Sequence, residues 1–151
     1  MIIDSGFTTS NILIVGSAPN EEDIRKGYLF SGDNGKVLQA ELNRAGLSKS
    51  HVTMLWDREP DKEGLDERVA ILYQKMTNVD FVLLMGKELA EVYMDGKISG
   101  WYGLRVTSPL IPPNVKLVYA APSPGLVTHG TVGEFRLSLE KFRKAIKEWK
   151  Q

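Results

Sequence analysis

The chain has 151 residues, with nineteen Lys and Arg against nineteen Asp and Glu, so at a formal net charge of zero it is no polycation that holds nucleic acid by charge alone. It contains no cysteine, which excludes a disulfide frame, a Cys-ligated zinc, a thiolate-held cluster and a thiol nucleophile. Its two histidines, His51 and His129, lack any HxxxH or HxH spacing, so no His-built zinc site is expected, while carboxylates could still bind magnesium.

The first apolar run, Ile12–Val15, is rich in β-branched residues and reads as a buried strand. It stops at Gly16, passes through Ser17, Ala18 and Pro19, and runs into acids. Gly16 lets backbone or ligand approach closely, Pro19 stiffens the turn, and Asn20 to Asp23 put acids where a short helix can begin. The glycine spacing and Lys-Ser/Thr ending of a phosphate loop are missing, and so is a dinucleotide fingerprint. Val37, Leu38, Leu42 and Ala45 then share one helical face behind a cap at Asp33 or Asn34, with Gly46 placed to stop the helix. A second strand is expected over Val52–Trp56, and Leu65, Val69, Leu72 and Met76 step as an amphipathic helix should. Strands are expected again over Val79–Met85 and Val115–Ala120. Phe135, Leu139, Phe142, Ile146 and Trp149 form the apolar stripe of a C-terminal helix whose other side carries Lys and Arg.

Strands that are apolar throughout, alternating with amphipathic helices, predict an α/β fold: a mostly parallel sheet covered on both faces, with ligands beyond the carboxyl ends of the strands. No repeat or linker divides the chain, which reads as one domain over residues 1–151. No apolar run approaches the roughly 18 residues of a membrane span and no leader pattern opens the chain, so a soluble, cytoplasmic monomer is expected.

Four segments, in order, carry a resemblance: "ILIVGSAPNEED" from Ile12, "KGYLFSGDNGKVLQAELNRAGL" from Lys26, "FVLLMGKELAEVY" from Phe81 and "LVYAAPSPGLV" from Leu117. They resemble the uracil-DNA glycosylase superfamily, especially its iron–sulfur-containing and related bacterial branches. The first is similar to the strand and loop that contact the base and the attacking water. The second resembles the segment whose aromatic stacks on the flipped base, the third a strand–helix junction, and the fourth the H-P-S-P loop that enters the minor groove. The resemblance implies a three-layer α/β/α sandwich around a central, mostly parallel four-stranded sheet, with duplex or single-stranded DNA as partner. It also implies a base-flipping pocket, because a glycosidic bond inside a duplex is out of reach. What the resemblance implies for this chain is Ser17 near the water, with Asn20 and Glu21 as the nearest candidates for a relocated catalytic group, Gly16, Pro19 and Phe30 around the base with Trp56 as a wall of the pocket, and a hydrolysis that requires no metal or organic cofactor. Ser123, Leu126 and His129 belong to the loop that holds the opened duplex.

The chain also departs from the family's pattern. Active branches place Glu, Asp or Asn where Ser17 and Ala18 stand, and a hydroxyl is a poor base. Ala121 stands at the motif histidine, and Leu55 or Trp56 where an asparagine reads the base edge; an indole offers no paired donor and acceptor. Without cysteine, no iron–sulfur centre can form. Two readings stay open: hydrolysis of a different flipped base by relocated groups, or a non-catalytic module that keeps the fold to bind DNA or a replication protein. A small-nucleotide hydrolase or binder using the same pocket is a third. Each candidate also has a plainer role: Phe30 and Trp56 as core aromatics, Glu21 as an acid favouring a helix start, Ser123 as a turn cap, and Leu126 and His129 as surface residues. Lys141, Arg143, Lys144, Lys147 and Lys150 read as the solvated face of the last helix or as a track for a DNA backbone.

Overall fold

The computed structural model describes residues 4–27, 29, 31–57, 60–94, 103, 105–123 and 132–150. The elements in order are β1 (Ser5–Gly6), β2 (Ile12–Gly16), α1 (Glu21–Lys26), α2 (Asp33–Arg44), β3 (His51–Met54), a 3₁₀ turn (Lys62–Gly64) leading into α3 (Leu65–Met76), β4 (Phe81–Met85), α4 (Lys87–Met94), β5 (Leu117–Ala121) and α5 (Val132–Lys150). The strands form one sheet in the order β1-β3-β2-β4-β5. The last four are mutually parallel, and only β1 is antiparallel, at the edge beside β3.

The continuous apolar runs have a simple cause. Successive residues of a strand point to opposite faces, and here both faces are covered. Ile12 and Ile14 pack with Phe81, Leu83 and Met85 on one side, under Leu38 and Leu42 of α2 and Phe135, Leu139, Phe142 and Ile146 of α5. Leu13 and Val15 pack with Val82, Leu84, Val118 and Ala120 on the other, under Leu72 and Met76 of α3 and Leu89 and Tyr93 of α4. The result is the three-layer α/β/α sandwich. A buried Glu41 on α2 accepts both arms of the Arg136 guanidinium, at 2.8 and 2.9 Å, and so links the two helices of one layer.

Some boundaries differ from the sequence expectation. The second strand ends at Met54, yet Leu55 N–H and Trp56 N–H still donate to the carbonyls of Gly16 and Ser17 at 2.8 and 3.0 Å, so the pairing outlasts the strand. The cap of α2 is Gly32 rather than Asp33 or Asn34, and it makes no side-chain cap bond. A Cβ there would lie 2.7 Å from Glu22 Oε2, at the free end of a side chain that can move aside. The helix stops where expected. Gly46 adopts φ +78, its N–H donates to Asn43 O, and Leu47 N–H reaches back to Leu42 O at 2.8 Å. Trp149, expected in the apolar stripe of α5, is 47% exposed because the core ends at Ile146. The edge strand β1 has no apolar pattern to betray it. Gly6 lies so close to Ser50 O that a Cβ would sit 2.1 Å from it.

Candidate active site at the switch point of the sheet

From β2 the chain steps to β3 through α2 on one face; from β4 it steps the other way, to β5, through α4 on the opposite face. The loops leaving the adjacent carboxyl ends of β2 and β4 therefore part to opposite sides. A crevice at such a switch point is where open α/β sheets bind ligands.

Two side chains meet there. Ser17, one residue past β2, donates its Oγ–H to Oε1 of Glu88, in the first turn of α4. Buried Trp56 donates its indole N–H to the same oxygen at 3.1 Å. One carboxylate thus gathers the ends of β2, β3 and β4. The junction that delivers Glu88 turns at Gly86, whose φ of +100 suits a residue without Cβ and whose N–H donates to Ala121 O at 2.8 Å. Ser123 lies beside this glycine: its Cβ would be 3.5 Å from a Cβ placed on Gly86.

Gly16 does allow a close approach, and the group that makes it is the Met54 thioether. A Cβ on Gly16 would fall 2.6 Å from Met54 Sδ. In the parallel register Gly16 pairs with Met54, so the methionine stands level with the glycine at the end of β3. Pro19 is buried. Asn20 caps α1: its Oδ1 accepts Asp23 N–H at 2.8 Å while Asp23 Oδ2 accepts Asn20 N–H at 3.3 Å. Buried Asp23 also accepts Ser31 N–H at 3.0 Å and Ser31 Oγ–H at 2.6 Å, bracing the loop against the start of α2. Glu21 is exposed on the first turn of α1. Ala121, at the position of the motif histidine, is fully buried in the apolar layer under α5. Phe30, Leu126 and His129 lie outside the described residues.

Trp56 also lines a cavity of about 290 Å³ whose other walls include Leu29, Met54, Ile71, Arg68 and Lys75. Its size is near the lower end for small-molecule sites, roughly 300 Å³. Arg68 holds its rim by donating to the carbonyls of Leu55 and Met54 at 2.5 and 3.3 Å. Asp4 closes it on the β1 side, accepting from Thr53 Oγ1 at 2.8 Å, Lys75 Nζ at 2.9 Å and His51 Nε2 at 2.7 Å. A carboxylate only accepts, so His51 carries a proton on that nitrogen. Burial pushes the Asp4 carboxyl up, but the bonds from His51, Lys75 and Thr53 and the Lys75 charge outweigh it and hold the group at about 2.

Glu88, Met54 and the Asp4–Lys75 pair were not singled out from the sequence. Glu88 had one readable signal, an acid two residues beyond the glycine that ends an apolar strand. Among the described residues no group of three or more His, Asp or Glu side chains is placed to share a metal ion, and no helix is long and apolar enough to cross a membrane.

The family model described as the uracil DNA glycosylase superfamily matches residues 3–150, and the chain belongs to that superfamily. No curated protein matches the chain at a significant level.

Proposed function

We propose that this member of the uracil DNA glycosylase superfamily binds DNA and hydrolyses the N-glycosidic bond of a flipped, damaged or modified base. The observation that carries this reading is the Ser17–Glu88 pair: a carboxylate and a hydroxyl in the crevice where the fold receives ligands. Hydrolysis through an oxocarbenium-like state calls for a negative group near the sugar and a hydrogen-bonded water. Ser17 would hold that water. Gly16, Pro19, Met54 and Trp56 would shape the seat of the base, with Phe30 stacked on it, and Ser123 and Leu126 would hold the opened duplex. Asn20 acts as the cap of α1, and Glu21 is an acid of its first turn.

Single-turnover reactions with excess protein test this, on duplex and single-stranded oligonucleotides carrying uracil, hypoxanthine, xanthine or 5-hydroxymethyluracil, read for abasic sites and for binding together. Abasic sites at any of these bases, formed only with protein present, are the expected outcome. Binding without cleavage would instead support a second reading, a DNA- or replication-protein-binding module. That reading is favoured by Ala121, a buried core methyl at the position where the family stabilises the departing base.

A further inference from the structure

We infer that Glu88 supplies the carboxylate that the β2 loop lacks, acting through Ser17 as a positioning residue and proton acceptor; this rests on the hydrolytic reading above. Loop and helix reach each other because β2 and β4 are neighbours in the sheet, with Val15 level with Leu84. Glu88 Oε1 accepts from Ser17 Oγ and from Trp56 Nε1, so it is held by two donors from two other strand ends. With its proton committed to Glu88, the Ser17 hydroxyl keeps its lone pairs for accepting from a water.

The step balances without any further reagent. Water oxygen forms a bond to the sugar C1′, and the C1′–N bond breaks with its electron pair leaving on the base. The water proton passes to Ser17 Oγ as the Ser17 proton moves to Glu88 Oε1. The base then takes a proton from solvent, and Glu88 releases the proton it accepted to solvent, restoring the carboxylate. Trp56 donates throughout and keeps the carboxylate facing Ser17.

Glu88→Gln separates this role from a structural one. The amide keeps an acceptor oxygen for both donors and nearly the same shape, but it does not take up the proton. On whichever of the four oligonucleotides wild type cleaves, Glu88→Gln and Ser17→Ala are each expected to lower the single-turnover rate constant by about 10²-fold or more, with DNA affinity and thermal midpoint unchanged. The double variant should be no slower than either single one, because both changes break the same relay. Wild-type rates in Glu88→Gln would overturn the inference alone, as would losses that multiply in the double variant or a loss confined to DNA affinity. A wild-type protein that cleaves none of the four substrates would overturn the hydrolytic reading and this inference together.

Discussion

Replacing Asp4 by asparagine removes one charge from the wall of the cavity while leaving its size almost unchanged. In the wild-type chain Asp4 has a side chain 22% exposed and takes hydrogen bonds from His51, Lys75 and Thr53. Together these lower its carboxyl from 3.8 to about 2 against the opposing effect of burial. At roughly 1.4 kcal/mol per pH unit of difference between folded and unfolded states, that is about 2 kcal/mol of stability at neutral pH. Because the folded value lies below the unfolded one, the contribution is fully present above about pH 4, drains away as the pH falls toward 2, and is absent below. Asparagine keeps one acceptor oxygen but turns an NH₂ toward groups that are themselves donors, so the loss at pH 7 should reach about 2–3 kcal/mol. Urea denaturation of both proteins from pH 7 into acid measures it. The expected result is a gap of that size at pH 7 that narrows steadily below pH 4. A gap under about 0.5 kcal/mol at pH 7, or one that does not narrow in acid, would refute the assignment of that energy to the Asp4 charge.

Arg136→Ala should lower the thermal midpoint and Arg136→Lys should recover only part of it, because a point charge does not reproduce the two-armed contact with buried Glu41. Arg136 holds the Glu41 carboxyl below its usual range, so the deficit should be largest where Glu41 is ionised and shrink in acid; a deficit independent of pH would count against it. Tyr93 is buried, its hydroxyl has no hydrogen-bond partner among the described residues, and burial raises it to about 12. Tyr93→Phe should therefore stabilise the fold by about 1 kcal/mol in urea denaturation with an unchanged slope, and destabilisation would show that the hydroxyl has a use. Ser17→Glu would set two carboxylates against each other in the crevice, so its thermal midpoint should fall and recover in Ser17→Glu/Glu88→Gln. Failure to recover would mean that bulk, not charge, is what position 17 excludes.

The layers of the fold were legible because burial on both faces leaves its mark on every residue of a strand. Ile12–Val15 reads as uninterrupted apolar sequence since Ile12 and Ile14 enter one core and Leu13 and Val15 the other. The stop of α2 was legible for the same kind of reason: Gly46 occupies a backbone conformation that other residues enter at a cost. The start of α2 was not, because its cap is Gly32, which carries no side-chain cap bond for a sequence pattern to reveal. Nor was β1, which is two residues long and defined by what Ser50 and His51 present to it.

The site followed a different rule. Along the chain, the groups nearest Ser17 that could serve as a base are Asn20 and Glu21. In the fold Asn20 faces its own helix as a cap, Glu21 faces solvent, and the carboxylate that reaches Ser17 comes from 71 residues further on. Adjacent parallel strands deliver both loops to one crevice, so a charge can leave one loop and be supplied by the other without disturbing the sheet. The β2 loop is accordingly a poor guide to the chemistry when read alone. The serine that replaces the family's acid in that loop is met by a carboxylate from the first turn of α4, three residues past the end of β4 and in contact with it.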